Sequence, residues 1–573
     1  MKRTQFFCIV LIFVVTVLFC SFAYAQQPPS SATAGGVARQ QQEIEVKKKL
    51  EKRIETERPK IEGTATEAIL PEDSGPKVQV NTITVEGATL LTAQEIKNIT
   101  SNYEGKQLSL KSIQKVADLV TDEYRKKNYV TSRAYIPPQT IKDGVLVIKV
   151  IEGKLGSVDI RGNRYFKTSM LERKLDFESA GYFDYSALQN SLVYINEHPD
   201  RKARATLVPG KQPGTTDVVI DVEDRLPFHV SAEYDNYASR YIGKNRYALV
   251  MEHNNLLGFD DKAYLKFQYS DGADLKLQQG RYSYPLRQGV NIGAYFMQNT
   301  IKIGEEFEDA DSSGRAKIFG VFLNGALVKK PDLDLRLNLG FDYKSIKNYV
   351  MDELDSQDEV RVAKAGLDLD CNDSWGRNIL TGEFDLGIPD IMGGMEDKDL
   401  DSSRVGAGGE FNKWLFNYYR LQSLPFETSL LWKNSAQYST YNLVASEEFQ
   451  IGGPTSVRGY APAEYSGDKG FYTSPELSIP WYFISKQAKI PYTENTKWYN
   501  ALRFVIFYDW AITEFNSPQP GESKDQTLKG YGYGLRFNIK DNVSFRVEVG
   551  YPDGKTPSDG DHAHPWVELI VKY

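Results

Sequence analysis

Two hydrophobic periods divide this sequence. From Leu226 to Tyr573 apolar and polar residues alternate, as in Ala263-Tyr-Leu-Lys-Phe-Gln-Tyr269, Leu335-Arg-Leu-Asn-Leu-Gly-Phe341, Val543-Ser-Phe-Arg-Val-Glu-Val549 and Val567-Glu-Leu-Ile-Val-Lys-Tyr573. A period of two marks strands with one apolar and one polar face. The polar face carries long charged side chains, and no blade or Greek-key period is visible. Both features favour a transmembrane β-barrel over a soluble sandwich or propeller. The alternation yields about 16 antiparallel strands, an even number as bacterial barrels require.

Upstream, helical periods appear. In residues 77–152, Val78 to Val85 alternates as a strand, and Thr92 with Glu95 forms a capping box for a helix to about Ile99. A second helix, about Leu110 to Lys127, gathers Ile113, Val116, Ala117, Val120 and Tyr124 on one face. Strands Val130–Ile136 and Gly144–Ile151 complete a βααββ order. Residues 153–225 repeat it, with strand Leu155–Ile160, helices Ser169–Leu175 and Tyr185–Glu197, and strands Ala203–Val208 and Asp217–Val222. Recurrence of one order at one spacing indicates a duplicated small α/β domain. The barrel then occupies 226–573.

Residues 26–76 form a polar tail. One helix is predicted at about 37–58, with Glu43/Lys47 and Glu45/Lys49 at i,i+4 and a thin apolar stripe of Val46, Leu50 and Ile54. Such a helix cannot sit in lipid; it belongs in water or inside a polar pore. Ile61 to Pro76 reads as a linker broken by Gly63, Pro71 and Gly75. Residues 1–25 read as a signal peptide: Lys2 and Arg3, an apolar run from Phe6 to Phe22, then Ala23-Tyr24-Ala25.

Composition sharpens this picture. Cleavage removes Cys8 and Cys20 and leaves Cys371, so the folded chain has no disulfide framework. The net charge of −7, about −9 after cleavage, argues against nucleic acid as a partner. Aromatics are frequent (Tyr 35, Phe 28, Trp 7), which suits a barrel surrounded by outer-membrane lipid.

Enzyme chemistry finds no support. Gly550-Tyr-Pro-Asp-Gly554-Lys555-Thr556 is too short for a phosphate-binding loop and joins two strands. Asp561, His562 and His564 lack a full ligand set, so no metal is expected. Asp368, Asp370 and Asp373, around Cys371, read as lumen-facing carboxylates running into a polar loop. No catalytic triad, dyad or cofactor motif stands out.

Several motifs resemble one family, the TpsB outer-membrane transporters of two-partner secretion (haemolysin/haemagglutinin secretion-activation type, within the BamA/TpsB superfamily). Tyr129-Val-Thr-Ser-Arg133-Ala-Tyr-Ile-Pro137-Pro-Gln139, followed by Gly144 to Ile151 and Glu152-Gly153, resembles its first POTRA (polypeptide-transport-associated) domain. Asn128 stands where the family commonly has Gly, and Asn also tolerates a left-handed backbone. Asn196-Glu-His-Pro199-Asp-Arg201 and Leu207 to Asp217 resemble the second POTRA domain, and Tyr234 to Arg240 and Asn255 to Asp260 resemble the opening of the barrel.

Val457-Arg458-Gly459-Tyr460 resembles the tetrad of the family's long sixth extracellular loop, which folds back inside the barrel between strands 11 and 12. The resemblance implies that Arg458 pairs with Asp509 in Phe507-Tyr-Asp509-Trp-Ala511 on strand 13, where Ala511 replaces a Gly. In a wet lumen that pair is worth about 1–3 kcal/mol. The resemblance further implies a plug role for helix 37–58, periplasmic POTRA domains and an outer-membrane barrel. It implies an unfolded TpsA-like exoprotein as the secreted partner. The terminal aromatic Tyr573 resembles the signal read by barrel-assembly machinery during biogenesis. Two rivals are a BamA-type assembly factor, with more POTRA domains and no plug, and a passive porin, with neither POTRA domains nor the tetrad.

Overall fold

The computed structural model describes residues 29–55, 76–177, 181–330, 332–491, 493, 496–539 and 542–573. The predicted signal segment 1–25 and most of the predicted linker after the tail helix lie outside the described residues, as do positions 56–58 of the predicted helix.

Alternation is realised as a closed wall. Sixteen antiparallel strands, from Phe228–Asp235 to His564–Lys572, pair in sequence order, and the last pairs with the first. The third strand, Lys262–Ser270, shows why the pattern works. Leu265, Phe267 and Tyr269 are exposed outward, where lipid would cover them, while Lys266, Gln268 and Ser270 are buried inward. Each strand satisfies its backbone bonds with both neighbours, so closure leaves no edge to be desolvated.

The two α/β units share one topology. In the first, Val145–Ile151 is central, parallel to Thr82–Glu86 and antiparallel to Arg133–Tyr135. In the second, Thr215–Asp224 is central, parallel to Lys154–Arg161 and antiparallel to Arg201–Pro209. Helix Leu110–Lys126 buries the predicted face of Ile113, Val116, Ala117, Val120 and Tyr124. Helix Ala93–Thr100 starts at the predicted Thr92–Glu95 capping box.

Two elements differ from expectation. The single strand Val78–Val85 is split at Asn81, whose backbone N–H turns to the Gly144 carbonyl (2.7 Å). Lys77–Val80 instead pairs with an unpredicted strand, Lys106–Ser109. The expected strand Val130–Ile136 shortens to Arg133–Tyr135, because Tyr129 to Ser132 forms a turn closed by the Ser132 N–H on the Tyr129 carbonyl (3.1 Å).

The tail helix, Ala34–Glu55, lies inside the barrel. At 22 residues it is about 33 Å long, close to the thickness of a bilayer core. Its apolar contacts are two: Ala34, Val37 and Ala38 pack with Leu275, Met297 and Ile346, and Leu50 and Ile54 pack with Ile379, Tyr419 and Leu431. The stripe therefore runs through Ile44, Leu50 and Ile54, while Val46 is exposed. The predicted Glu43–Lys47 pair forms at 3.5 Å. Glu45 instead accepts a bond from wall residue Gln279 (2.7 Å), because the lumen offers a nearer donor than Lys49.

Candidate functional site

The loop between the eleventh strand, Ser429–Ser439, and the twelfth, Lys469–Pro480, folds back into the barrel. It carries the tetrad, and Val457, Arg458 and Tyr460 are buried there. Asp509 lies on the thirteenth strand, Leu502–Glu514, at an inward position between outward Tyr508 and Trp510.

Arg458 and Asp509 meet. Nη2 donates to Oδ1 (2.7 Å), Nε to Oδ2 (2.9 Å), and the Arg458 backbone N–H to Oδ2 (3.0 Å). The guanidinium lies over the Phe507 ring, with its carbon 3.3 Å from the centroid. Both charged residues are at most 1% exposed, so the site is dry, not the wet lumen assumed from sequence. Removing one member of a dry pair costs about 3–5 kcal/mol, above the range expected for a solvated one.

Sequence reasoning missed most of the network. Nη1 of Arg458 contacts Glu476 (2.8 Å) and Glu548 (3.0 Å), and Nη2 donates to Ser474 Oγ (3.0 Å). Arg536 bridges the same two glutamates at 2.8 and 2.6 Å. Lys433 contacts Glu476 and also Glu51 of the tail helix (3.0 Å), and Arg546 holds the other Glu51 oxygen (3.0 Å). Four cations thus face four carboxylates, and the cluster joins loop, wall and helix. All but Arg458 and Glu51 come from five consecutive strands, the eleventh to the fifteenth, the last of them Val543–Pro552.

Close approach of the loop depends on glycines of the loop itself and of a facing strand. A Cβ at Gly459 would stand 2.5 Å from the Tyr551 carbonyl carbon, and one at Gly550 would stand 2.2 Å from the Arg458 oxygen. Trp566 Nε1 donates to that same oxygen (2.8 Å), and Tyr460 donates its hydroxyl to the Lys555 carbonyl (3.0 Å). Ala511 does not obstruct the loop. Its methyl is fully buried in a cluster with Val457, Tyr460, Tyr472 and Leu528. The sequence did carry a signal here: Gly530, Gly532 and Gly534 occupy every inward position along part of the fourteenth strand, Asp525–Ile539.

The loop base is also tied to the helix. Arg39 Nε donates to the Glu448 carbonyl (3.1 Å), and Gln450 Nε2 donates to the Gly36 carbonyl (3.0 Å). Glu447 sits between Lys344 and Lys413 of the wall. At the helix's other end, Arg53 reaches Asp370 (2.9 Å) and Asp368 (3.5 Å), the carboxylates read as lumen-facing.

In the first α/β unit the motif residues are chiefly structural. Glu152 accepts from Thr89 N (2.6 Å), Leu90 N (2.8 Å), Tyr124 OH (2.6 Å) and the Thr89 hydroxyl. Burial works to raise its carboxyl, but these donors hold it below the usual range. Gln139 clasps the backbone N–H and C=O of Val147 (2.9 and 2.6 Å), and Asn128 adopts φ 67°, left-handed as the turn requires. Tyr129 packs on the unit's core, and Pro137 is half-buried. Gly153 donates to Ser132 Oγ (3.1 Å), where a Cβ would meet Thr131. Arg133 is exposed on its short strand. Far from all these, His564 pairs with Asp559 (3.0 Å), and a carboxylate oxygen of Asp561 lies within 4.8 Å of both.

Known proteins resemble this chain in sequence and fold. The model of the family "Haemolysin secretion/activation protein ShlB/FhaC/HecB" matches residues 214–495, and that of the ShlB-type POTRA domain matches 78–153. The heme/hemopexin transporter protein HuxB of Haemophilus influenzae is 23% identical over 519 residues, covering 87% of each chain. The outer membrane transporter CdiB of Escherichia coli is 24% identical over 519 residues, 87% of this chain and 83% of its own. Among solved structures, CdiB from Escherichia coli gives a TM-score of 0.73 at 21% identity, covering 96% of this chain and all of that one. BamA from Haemophilus ducreyi lacking POTRA domains 1–3 gives 0.52 at 13% identity, covering 87% of this chain and 100% of its own. At these identities the structural likeness is one of fold.

Proposed function

We infer that the chain belongs to the ShlB/FhaC/HecB family of haemolysin secretion/activation proteins, outer-membrane transporters of two-partner secretion with periplasmic POTRA domains, and that its tail helix and tetrad loop form one gate across the export path. The observation that carries this reading is Glu51. Through Lys433 it connects the helix to Glu476, and through Glu476 to Arg458 of the loop. When the helix leaves, four cations are left with three carboxylates in a dry site. Lys433 then competes with Arg458 for Glu476, and the loop loosens. Helix departure and loop movement are thereby coupled by charge.

The partner is an unfolded exoprotein arriving in the periplasm, by analogy with relatives named as transporters. Residues 153–225 act as a second POTRA domain, having the topology of the first. The outer strands of the two small sheets, such as the nine-residue Arg201–Pro209, can receive a segment of that exoprotein by main-chain pairing. Such pairing needs little side-chain specificity. No nucleotide motif is present in the sequence, and folding of the exoprotein outside the cell supplies the direction. The wall itself lies in outer-membrane lipid, placed there by barrel-assembly machinery.

The test is secretion by the source bacterium with the intact gene, without it, and with Arg458→Ala. One large protein should vanish from the medium without the gene and fall at least severalfold with the substitution. An unchanged medium with many outer-membrane barrels depleted would instead identify an assembly factor, the role suggested by the likeness to BamA.

A further inference from the structure

A cavity of about 520 Å³ opens where the second α/β unit meets the barrel. Seven Lys and Arg side chains line it, against two carboxylates, Glu197 and Asp260. Both carboxylates are already taken. Asp260 receives Arg201 (2.8 Å) and Lys174 (2.7 Å), and Glu197 receives Arg336 (2.9 Å) and Lys329. Asp334, next to the cavity on the same inward face as Arg336, shares Arg336 (2.9 Å) and Lys329 (2.8 Å). Arg173, Lys262 and Arg287 line the cavity with no ion-pair partner among the described residues. The lining therefore has an excess of positive charge in a chain whose net charge is −7.

The cavity lies at the barrel rim, and its barrel-side cations reach it from the inward face of the wall. Lys262 shares the inward face of its strand with Lys266 and Gln268, both buried inside the barrel. Arg336 shares its face with Asp334 and Asp342, also buried inside. Rings of Phe259 and Tyr284, 5.9 Å apart, add an apolar side at its outer edge, where Tyr284 pairs with the outward Ile292. A charged mouth with low-dielectric walls focuses its field and raises the local concentration of the opposite charge. Each exposed ion pair is individually weak, so a segment held here can leave again.

We propose that this cavity is an entry site for an extended polypeptide segment bearing Asp or Glu side chains, read by charge and not by sequence. The proposal rests on the lumen being an export path, and it adds the chemistry of the segment that enters first.

The test uses the full chain in lipid nanodiscs and a short fluorescein-labelled peptide of alternating Glu and Ser, with fluorescence anisotropy as readout. The Glu peptide should bind, its Gln counterpart should bind roughly tenfold more weakly, and the double variant Lys262→Gln/Arg287→Gln should lose a similar factor. Added salt should weaken binding progressively. Equal binding of the Glu and Gln peptides, or an unaffected double variant, overturns the proposal. So does binding of glycerol phosphate without binding of the Glu peptide, which would mark a lipid-headgroup site. Secretion by the unaltered protein is scored separately, so a silent cavity in a secreting transporter removes only this proposal.

Discussion

Arg458 exchanges water for three carboxylates, a serine hydroxyl and the face of Phe507, whereas Gly459 beside it contributes only the absence of a side chain. The two residues thus hold the loop by different forces, and substitutions can separate them. Arg458→Lys keeps the charge but loses the planar fork, so the loop should be held less firmly than in the natural protein and more firmly than in Arg458→Ala. Gly459→Ala changes no charge but forces a methyl against Tyr551, and should unseat the loop as fully as Arg458→Ala. The open fraction in planar lipid bilayers reads this order directly, and a Gly459→Ala channel as quiet as the natural one would contradict it. The Arg458–Asp509 pair was legible because both residues lie in short, recognisable runs of letters. Glu476, Arg536 and Glu548 were not, since each is one inward charge among many on alternating strands. Only strand register, set by the whole barrel, brings them to one point.

The tail helix is an element whose isolated sequence has no reason to be buried. It is polar nearly all round, and it becomes stable where polar partners surround it: Gln437 and Glu448 near its start, Gln279 and Glu568 along it, and Asp370 near its end. Its existence was legible from periodicity and charge spacing. Its seat was not, because its partners lie hundreds of residues away; Arg53 and Asp370 are 317 positions apart. Among its charges, Glu51 has the greatest leverage. Glu51→Lys would place a third cation beside Lys433 and Arg546, turning an attraction into a repulsion in a site of low dielectric. The expected result is a pore that opens severalfold more often in planar bilayers, whereas Val46→Lys, at an exposed helix position, should leave gating near the natural level. Equal opening by the two variants would show that the helix is not held by this cluster.

For the molecule as a whole, strand number and order follow from alternation, but how the second α/β unit is fixed to the barrel does not. Two segments singled out in the sequence, Asn196–Arg201 and Asn255–Asp260, turn out to be the two halves of that joint. Arg201 makes a forked bond to Asp260 and stacks on Phe166, its guanidinium carbon 4.8 Å from the ring centroid. His198 donates from Nε2 to the Asn254 carbonyl (2.7 Å) and accepts the Asp200 N–H at Nδ1 (3.1 Å). Both ring nitrogens are thus used in the neutral form, and a proton on Nδ1 would face an N–H. Burial, reinforced by the nearby Arg201 and Lys262 and only partly opposed by Asp260, lowers its pKa to about 4. A histidine depressed below its unfolded value of about 6.5 stabilises the joint fully above that pH. The contribution is lost as pH falls from about 6.5 towards 4. Asp260 acts in the same direction at lower pH: burial raises its carboxyl, but Arg201 and Lys174 more than reverse this, so the pairing weakens only as the carboxylate protonates. Amide hydrogen exchange of residues 196–202 and 254–261, corrected for intrinsic rates, should therefore accelerate between pH 6.5 and 4.5 while exchange within the barrel strands stays constant. In His198→Gln, which cannot take up a proton, the acceleration should be absent. If the natural protein and the variant respond alike, the joint is held by Arg201 and Asp260 without the histidine, and acidification should release it only near the titration of the carboxylate.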